Sequence, residues 1–389
     1  MKAMILAAGK GTRVRPITYT TPKPMISLVR KPVMESIIEL LRAHGIKQIM
    51  INTSHLAPAI EQYFRDGEQF GVQMGYSFEG VLVDGELHGK ALGSAGGMKR
   101  IQEFSGFFDE TFVVLCGDAW IDLDISKVFQ FHKARQSKAT IVLKEVPRDE
   151  VYKYGVVQTD AEGRILQFQE KPSVEEAVSN TINTGIYMFE PEVLDHIPSG
   201  GEYDIGGQLF PRLVEADVPF YGVALPFQWV DIGSVPDFWE ATRQILRGEV
   251  EGYQMPGREV RPGIWTGINV SVDWDEVQIK PPVYIGSSTA INDGATIVGP
   301  TVIGANCSVA GGAEIQECIV DDYTRISSLA RLEKKVLYGD KCIAPSGEAI
   351  DILENDIGFI LDDARKELVL SEAHRLIFEF ARETGALEK

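Results

Sequence analysis

A six-residue repeat of aliphatic side chains occupies the sequence from residue 279 to residue 332. An α-helix repeats about every 3.6 residues and a strand about every 2, so neither explains this spacing. A coil of three short strands, each with one inward aliphatic residue, does explain it. The repeat therefore predicts a hexapeptide parallel β-helix, in which one residue drops out of the spacing after the seventh member. The predicted inward residues are Ile279, Ile285, Ile291, Ile297, Ile303, Val309, Ile315, Val320, Ile326 and Leu332.

The sequence before about residue 248 has a different pattern, in which apolar strands alternate with amphipathic helices. We predict strands from Ala3 to Ala7, from Ile49 to Ile51 and from Thr111 to Leu115, each rich in aliphatic residues. Helices are predicted from Pro32 to His44 and from Pro58 to Arg65. This alternation is typical of an α/β fold with a mostly parallel sheet, in which ligands bind beyond the carboxyl ends of the strands.

A stretch rich in Gly, Pro and charge, residues 248–263, marks the predicted boundary between these two patterns. We expect an α/β domain over residues 1–248, a linker over 249–262, the β-helix over 263–345 and a helical extension over 346–389. The extension contains a predicted helix from Ser371 to Glu383 with Ala373, Leu376, Ile377 and Phe380 on one face. This helix either covers the open end of the β-helix or forms a subunit contact.

Net charge and cysteine usage limit the environment and the partners. The formal net charge is −18, which disfavours binding to nucleic acids and to anionic membranes. The sequence has no apolar run of the ~18 residues that a membrane helix needs, and its first residues do not resemble a secretion signal. The spacing of the cysteines predicts neither disulfides nor a zinc site. We therefore expect a cytoplasmic protein with reduced thiols at Cys116, Cys307, Cys318 and Cys342.

A glycine-containing loop with cationic neighbours follows the first predicted strand. Gly9 and Gly11 allow the backbone to approach an anion closely, and Arg13 and Lys23 add positive charge nearby. The loop is not a Walker A motif, and Val14 stands at the third glycine position of a dinucleotide fingerprint. In so acidic a chain, this local group of cations predicts a binding pocket for a small phosphorylated ligand.

Together with motifs further along the chain, this loop resembles the signature of the sugar-1-phosphate nucleotidylyltransferase family. The resemblance extends to about residue 345. It implies a Rossmann-like (GT-A-like) mixed, mostly parallel sheet followed by a left-handed parallel β-helix. The segments that carry it are Gly9–Arg13, Pro22–Pro24, Leu92–Gly97, Gly117–Asp118, Tyr154–Val157, Glu170–Pro172, Asn183–Gly185 and Trp229–Gly233.

The resemblance also implies a reaction. A sugar-1-phosphate oxygen attacks the α-phosphorus of a nucleoside triphosphate, and pyrophosphate leaves. Catalysis then consists mainly of positioning and charge stabilisation. Arg13, Lys23 and Lys171 would act on the phosphates, and Asp118 and Asp231 would hold Mg²⁺.

Binding roles follow from the same resemblance. Asn183 is equally typical of a turn at a strand end, and Asp204 is best explained as a helix cap. The expected nucleotide-binding residues are Leu6, Ala8, Gly9, Gly11, Thr12, Gly93, Ser94, Ala95 and Gly117. The expected sugar-binding residues are Gly155, Glu170, Asn183 and Thr184.

An insertion between Glu79 and Lys90 guides the choice of substrates. GDP-mannose pyrophosphorylases lead almost directly from the preceding strand into the base segment, whereas this chain has about ten more residues with an Asp84-Gly85 turn signal. The insertion, the Phe168–Pro172 segment and the helical tail together most resemble the cyanobacterial-type UDP-glucose pyrophosphorylases. This implies UTP and glucose 1-phosphate as substrates, with GTP and mannose 1-phosphate as the alternative. The predicted hairpin is either a surface loop or a lid that brings His88 and Lys90 over the nucleotide.

Two other functional classes remain as alternatives. A catalytically silent, nucleotide-sugar-binding regulatory subunit would have lost motif residues, but all are present here. An acyltransferase would need a histidine in or beside the β-helix, and residues 263–345 contain none. The β-helix is therefore expected to be structural, and homo-oligomers are expected to form through it or through the C-terminal helix.

Overall fold

The structure is a computed structural model that describes residues 1–367 and 371–384. Its contacts divide the chain into two compact units, which are described separately. The first unit contains Met1–Gly11, Thr20–Ile26 and Pro32–Val230. The second contains Thr12–Tyr19, Ser27–Lys31 and the described residues from Asp231 onward. The domain limits expected from the sequence stay a prediction.

The regular elements up to residue 248 are short strands and six α-helices. The strands are β1 (Lys2–Leu6), β2 (Ser27–Leu28), β3 (Lys31–Pro32), β4 (Gln48–Thr53), β5 (Gln73–Phe78), β6 (Gly80–Val83), β7 (Glu86–Gly89), β8 (Phe112–Cys116), β9 (Ala119–Ile121), β10 (Ala139–Glu145), β11 (Gly155–Thr159), β12 (Ile165–Glu170), β13 (Thr181–Phe189), β14 (Phe220–Ala224) and β15 (Trp229–Asp231). The helices are α1 (Val33–Ala43), α2 (Ala57–Phe64), α3 (Gly93–Ser105), α4 (Ile125–Ala134), α5 (Phe210–Glu215) and α6 (Val235–Leu246).

Shorter helices connect several of these elements. They are the 3₁₀ helices Thr12–Val14, Ile17–Tyr19, Lys23–Met25, Glu68–Phe70, Arg148–Lys153 and Pro191–His196, and the π-helix Ile205–Leu209.

A nine-stranded mixed sheet forms the centre of the first unit. Its main order is β12-β11-β13-β8-β1-β4-β5, and β10 pairs with both β13 and β14. Strands β8, β1, β4 and β5 are parallel, whereas β13 is antiparallel to its neighbours. The predicted α/β fold with a mixed, mostly parallel sheet is confirmed, and β1, β4, β8, α1 and α2 match the predicted elements.

The apolar face of α1 explains why this segment is a helix that packs on the sheet. Val33, Ile37, Ile38 and Leu41 recur at helical spacing, and each is at most 1% exposed. Three of them, all but Val33, belong to a core cluster with aliphatic side chains of β1 and β4. Burial of each such side chain contributes about 1.5–3 kcal/mol relative to exposure. The helix begins directly after Pro32, where the fixed backbone suits a helix start.

The carboxyl ends of four parallel strands lie side by side. Leu6 of β1 is in register with Asn52 of β4 and with Cys116 of β8, and Asn52 is in register with Ser77 of β5. The loops that leave these strands therefore begin at one edge of the sheet. They include the glycine loop after residue 6, the insertion after residue 78 and the Gly117-Asp118 turn.

The second unit contains a parallel β-helix with three faces. The strands of this part of the chain are β16 (Arg258–Arg261), β17 (Ile264–Thr266), β18 (Ser271–Val272), β19 (Gln278–Lys280), β20 (Val283–Ile285), β21 (Ala290–Ile291), β22 (Thr296–Val298), β23 (Thr301–Ile303), β24 (Ser308–Val309), β25 (Glu314–Gln316), β26 (Ile319–Val320), β27 (Thr324–Ile326), β28 (Arg331–Glu333), β29 (Val336–Tyr338), β30 (Lys341–Ile343), β31 (Ala349–Asp351) and β32 (Leu361–Asp363).

The strand register confirms the predicted six-residue repeat. One face stacks Ile279, Ile297, Ile315 and Leu332, and the other two faces stack the remaining predicted residues in the same way. Most of these side chains are buried in one apolar cluster, and Ile279 packs against it. The missing residue shortens one coil, because Ile303 pairs with Val320 instead of a residue eighteen positions later. Strand pairing does not define the hand of the coil, so the left-handed sense stays a prediction.

Antiparallel strands continue two of the three faces near the end of the described chain. Strands β30 and β31 follow β29 on one face, and β32 pairs with β27 on another. The sequence analysis did not predict these strands, because they fall where the six-residue repeat has ended. The predicted C-terminal helix is present as α7 (Glu372–Glu383), and its His374 ring stacks on Phe359 with 4.5 Å between ring centroids.

Helix α6 contacts the β-helix within the second unit. Arg243 forms an ion pair of 2.9 Å with Glu317 and stacks over the Trp239 ring, whose indole N–H donates to the Glu317 carbonyl. Arg30 forms a two-pronged ion pair with Asp322. In the part of the chain that the structure describes, no helix is long and apolar enough to span a membrane.

Candidate active site

The predicted phosphate loop begins where β1 ends. Leu6 is the last strand residue, and Ala8 is buried close behind it. A Cβ atom at Gly9 would meet nothing within 4 Å, so packing does not require glycine at this position. Gly11 has a φ of +59°, a conformation that glycine adopts without strain. Thr12 begins a 3₁₀ helix that belongs to the second unit.

Two residues with different predicted roles, Lys23 and Asp118, form an ion pair through the lysine Nζ and the carboxylate Oδ2. Their side chains are 12% and 28% exposed, so both are partly shielded from solvent. Gly117 stands against the end of β1, where its amide donates to the Leu6 carbonyl at 3.0 Å. A Cβ there would lie 3.3 Å from Pro24. Glycine at 117 therefore allows the Asp118 turn and the Lys23 segment to approach each other.

Arg13 and Asp231 approach each other within the second unit, around Gly233. The position of a Cβ on Gly233 is 3.0 Å from Asp231 Oδ2 and 3.9 Å from Arg13 Nη1. Ser234 caps the next helix, because its hydroxyl accepts from the Asp237 amide. The Trp-Val-Asp-Ile-Gly segment thus turns sharply from β15 into α6, and the turn holds the Asp231 carboxylate near the guanidinium.

The predicted base segment forms the first turn of α3. Gly93 has a φ of +75°, and a Cβ there would lie 2.4 Å from the Tyr203 carbonyl oxygen. That oxygen accepts hydrogen bonds from the amides of Ala95 and Gly96, at 3.0 and 2.9 Å. Because the first amides of a helix need outside partners, Tyr203 acts as the cap of α3. Glycine at 93 is required by this close approach and by the backbone conformation.

Asp204 has the capping role that the sequence predicted. Its carboxylate accepts from the Gly207 amide at 2.9 Å, at the start of the π-helix. The other carboxylate oxygen accepts from the Ser94 hydroxyl at 2.8 Å, and the Ile205 amide donates back to Ser94 Oγ at 2.8 Å. Ser94, a predicted nucleotide-binding residue, thus connects the base segment to the segment around residue 204.

Three predicted site residues lie together at the end of the β11–β12 pair. Gly155 is directly opposite Glu170, and a Cβ at Gly155 would lie 3.3 Å from Glu170 Oε2 and 2.5 Å from the Phe168 ring. Lys171 Nζ is 3.2 Å from Glu170 Oε1, and both side chains are about half exposed. Lys171 has a φ of +46°, which is uncommon for residues other than glycine.

Asn183 and Thr184 lie at an irregularity of β13, where the pairing with β10 shifts register. The Asn183 amide group donates to the Tyr187 hydroxyl at 3.0 Å, and its oxygen accepts from the Gly185 amide at 2.9 Å. The Thr184 hydroxyl donates to the Val142 carbonyl, and the residue is 5% exposed. Bulges of this kind re-aim side chains next to binding sites. Burial raises the pKa of Tyr187 well above 10, so it stays protonated.

The insertion forms the predicted hairpin, from β6 and β7. Leu82 pairs with Leu87, and Asp84 and Gly85 form the turn with φ values of +51° and +83°. These two leucine side chains are 67% and 51% exposed. At the base of the hairpin, the Lys90 amide donates to the Glu79 carbonyl at 2.9 Å.

A divalent cation could be held in part by Asp118, because carboxylate oxygens are the donors that Mg²⁺ prefers. Among the described residues, no group of three or more His, Cys, Asp and Glu side chains could hold a metal ion. The Asp118 carboxylate fits a cation site in which substrate phosphate oxygens and water would be further ligands.

The sequence analysis missed three residues that organise this region. Tyr203 acts through its carbonyl oxygen, which no side-chain pattern reveals. Asn52 and Glu79 form a buried pair, and each lies at or just after the end of a strand. A polar residue at the carboxyl end of a predicted strand is the signal that could have identified this pair.

Comparison with protein families identifies the family of this chain. Residues 2–248 match the model of the nucleotidyl transferase family. The chain belongs to this family. All the clusters described above lie in the matched region, and the family resemblance inferred from the sequence motifs is confirmed.

Curated members of the nucleotidyl transferase family include close and distant relatives of this chain. A UTP–glucose-1-phosphate uridylyltransferase from Synechocystis sp. is 58% identical over 369 residues, which cover 95% of each chain. A mannose-1-phosphate guanylyltransferase from Mycobacterium tuberculosis is 27% identical over 335 residues, 85% of this chain and 83% of its own.

Solved structures support the fold of the nucleotidyl transferase unit. A UDP-glucose pyrophosphorylase complexed with UDP-glucose aligns with a TM-score of 0.53 and 24% identity. The alignment covers 63% of this chain and 98% of that structure. At this identity the likeness concerns the fold, which is the one expected from the sequence.

Proposed function

We propose that this protein transfers a uridylyl group from UTP to glucose 1-phosphate, giving UDP-glucose and pyrophosphate. The observation that carries the proposal is the 58% identity, over 95% of both chains, to a UTP–glucose-1-phosphate uridylyltransferase. A match of this extent spans both compact units and not only the motif residues. The guanylyltransferase relatives are more distant, so GDP-mannose formation is the second candidate.

The proposed reaction is a single displacement at phosphorus. A phosphate oxygen of glucose 1-phosphate forms a bond to the α-phosphorus of UTP, and the bond from that phosphorus to the oxygen bridging to the β-phosphate breaks. Pyrophosphate leaves with that oxygen and its electron pair. The protein contributes no covalent intermediate, and its task is to align two polyanions and stabilise the charge that develops.

In the proposed mechanism, cationic side chains align the two substrates and stabilise the developing negative charge. Arg13 would bind the α-phosphate and the departing pyrophosphate, since its planar fork matches phosphate oxygens. Lys23 would act as a point charge near the α-phosphate, and Lys171 would hold the phosphate of the sugar. The partial exposure of Lys171 supports a ligand-binding role, because its ammonium group is accessible from solvent.

The family generally uses a divalent metal, and we assign Mg²⁺ to this chain. Asp118 and Asp231 would hold it, with phosphate oxygens and water as the remaining ligands. When bound, the cation would offset the negative charge of the reacting phosphates. Asp118 would be a ligand of the cation, and Lys23, which pairs with Asp118 in this structure, would bind the substrate phosphate.

Substrate recognition is assigned to residues of the glycine loop, the base segment and the sugar cluster. Glu170, Asn183, Thr184 and the Gly155 backbone would bind glucose hydroxyl groups. The uracil would lie against Leu6 and the first turn of α3. The loop, the base segment and Gly117 would provide the remaining nucleotide contacts, with Ala8, Gly9, Gly11, Thr12, Gly93, Ser94 and Ala95.

We further propose that the protein is cytoplasmic. We also propose that it self-associates through the β-helix or the C-terminal helix. Helix α7 supports it with an apolar face on which Leu376, Ile377 and Phe380 are 63%, 43% and 67% exposed. Light scattering should give a mass above that of one chain at micromolar concentration. A monomer there would contradict this part. Replacing Leu376 and Phe380 with Glu should reduce the mass if α7 is the contact.

The proposed reaction is tested by its products. Incubation with UTP, glucose 1-phosphate and Mg²⁺ should release UDP-glucose and pyrophosphate in equal amounts, identified by mass and by a pyrophosphate assay. Labelled UTP without sugar phosphate should leave no label on the protein. Pyrophosphate release without a nucleotide sugar would contradict the proposal.

A further inference from the structure

A chain of buried and partly buried hydrogen bonds connects the start of the phosphate loop to the start of the base segment. The Ala7 amide donates to Asn52 Oδ1 at 2.9 Å, and the Asn52 Nδ2 group donates to Glu79 Oε1 at 2.8 Å. The Leu92 amide donates to the other oxygen of Glu79, Oε2, at 2.7 Å. Ala7 stands at the start of the glycine loop, and Leu92 directly precedes the first turn of α3.

The two side chains in this connection have almost no contact with solvent. Glu79 is 0% exposed and Asn52 is 3% exposed. Burial raises the pKa of Glu79, while the Leu92 amide, the Asn52 amide group and the charge of Arg100 oppose the rise. Both oxygens of the Glu79 carboxylate already accept hydrogen bonds from the protein and neither side chain is exposed, so the role argued for this pair is indirect.

The surroundings of Glu79 are built to hold it in place. Its own amide donates to the Thr53 carbonyl at 2.7 Å, and its carbonyl accepts from the Ser54 hydroxyl at 2.7 Å. A Cβ atom at Gly97 would lie 2.3 Å from Glu79 Oε1 and 3.1 Å from Asn52 Nδ2, so glycine at this position lets α3 approach both side chains without displacing them. Packing against Glu79 therefore accounts for glycine at position 97, without a contact to a ligand.

We infer that Glu79 and Asn52 are positioning residues of the nucleotide site, which set the base segment at a fixed distance from the phosphate loop. The inference rests on the proposed function. A nucleoside triphosphate bound by both segments spans the distance that this pair controls. The alignment of the nucleotide then depends on Asn52 and Glu79, which it does not contact.

The directions of the hydrogen bonds make the pair testable. The backbone amides of Ala7 and Leu92 are both donors. The two side chains between them must therefore provide an acceptor for each amide, and one of them must also donate to the other. Asn52 and Glu79 meet this pattern. Glu79→Gln leaves one acceptor for two donors, and Asn52→Asp places two carboxylates face to face. The double variant N52D/E79Q restores the pattern, because the new amide group at position 79 can donate to the new carboxylate at position 52 and still accept from Leu92.

The experiment measures kcat, the KM for UTP and the KM for glucose 1-phosphate for the wild type, both single variants and the double variant. We expect E79Q and N52D each to raise the KM for UTP about tenfold, as expected for a buried polar group without a matching partner. The KM for glucose 1-phosphate should change less than about twofold. The double variant should recover most of the UTP affinity, a coupling that a double-mutant cycle measures directly.

A matched control is available in Glu190→Gln. Glu190 is also a shielded carboxylate with buried or partly buried partners, including Thr111 and His132. Glu190 directly follows β13, whose last residue pairs with the first residue of β8. It therefore lies at the amino ends of the parallel strands, opposite their carboxyl ends. Its replacement should lower the thermal midpoint of unfolding and leave the KM for UTP unchanged.

The possible outcomes separate this inference from the proposed function. An inactive wild type would defeat the proposed function. An active wild type, with E79Q lowering the unfolding midpoint but not raising the KM for UTP, would make Glu79 a purely structural residue and overturn the inference. A double variant no better than N52D would also overturn it. If E79Q fails to fold, N52D and the double variant still provide the comparison.

Discussion

Lys23 and Asp118 form an ion pair with each other, although the sequence motifs assign one to phosphate and the other to metal. Lys23 lies between two prolines on a short 3₁₀ helix, and Asp118 follows the carboxyl end of β8. Each charge therefore offsets the other in this structure. In the proposed function, Lys23 would instead face a substrate phosphate and Asp118 a bound cation.

Replacing Asp118 should remove most of the activity. Asp118→Ala takes away the expected metal ligand and the carboxylate that pairs with Lys23. We expect kcat/KM to fall by at least ~10²-fold, as is typical when a charge that stabilises the transition state is lost. Steady-state pyrophosphate release at saturating Mg²⁺ measures this effect.

The control for this variant is another ion pair at the opposite end of the same sheet. Lys2 contacts Asp109 at 2.7 Å, and the Asp109 carboxylate is 65% exposed. Asp109→Ala should leave kcat/KM within about twofold, because exposed ion pairs contribute little. Near wild-type turnover in Asp118→Ala would show that the site has been assigned wrongly.

Lys171 should be equally sensitive to replacement. Lys171→Ala removes the charge assigned to the phosphate of the sugar, and we expect kcat/KM to fall by at least ~10²-fold. The matched control is Lys138→Ala, since Lys138 also forms an exposed ion pair, with Glu192 at 3.1 Å. A similar loss in both variants would indicate a general charge effect, and no loss in either would exclude Lys171 from the site.

The local motifs and the six-residue repeat could be predicted from the sequence because each depends on neighbouring residues. Gly93 was assigned from its motif, and Ile315 was assigned from its spacing. The contacts that fix the motifs in space depend on residues far apart in the chain. Tyr203 caps α3 through a carbonyl oxygen across more than one hundred residues, and Glu79 reaches Asn52 across a strand pair. A polar residue at a strand end can mark such a position, but the spacing along the chain does not show which distant residue it contacts.

The six-residue repeat also gave no prediction for the strands that lie beyond its end. Strands β30, β31 and β32 continue the faces of the β-helix in the antiparallel sense, and they lack the aliphatic period that revealed the earlier coils. The irregular pairing of β13 with β10, which places Asn183 beside Tyr187, depends on a register shift between two strands. Neither feature follows from the composition of the segments concerned.

His132 should make the stability of the protein depend on pH. The ring is fully buried, with Nδ1 2.8 Å from Thr140 Oγ1 and Nε2 3.2 Å from Glu190 Oε1. Burial lowers the pKa of His132 below its usual 6.5, although the nearby Glu190 carboxylate opposes this effect. The unfolded chain therefore binds a proton at a higher pH than the folded chain. The resulting stability is complete above pH 6.5 and is lost as the pH falls toward the folded pKa.

Urea unfolding of the wild type and of His132→Gln checks this dependence. The free energy of unfolding of the wild type should fall more steeply than that of the variant between about pH 7 and about pH 5. Glutamine cannot take up the proton, so its curve keeps only the contribution of the other titrating groups. Parallel curves for the two proteins would exclude His132 as the titrating group.

The β-helix should be sensitive to the loss of one inward side chain. Ile315 is 1% exposed and stacks between Ile297 and Leu332 on one face. Ile315→Ala should cost about 2–5 kcal/mol of unfolding free energy, the usual range for such a cavity. The neighbouring Glu314 points outward and is exposed, so Glu314→Ala should cost less than about 0.5 kcal/mol. Equal effects on the urea midpoint would contradict the assignment of the inward face.

The most direct test of the account is a matrix of substrates. Pyrophosphate release should be measured with UTP, GTP, dTTP, ATP and CTP, each with glucose 1-phosphate and mannose 1-phosphate, with and without Mg²⁺. The account predicts that UTP with glucose 1-phosphate dominates and that activity requires the metal. A dominant signal from GTP with mannose 1-phosphate, or no activity with any pair, would contradict it.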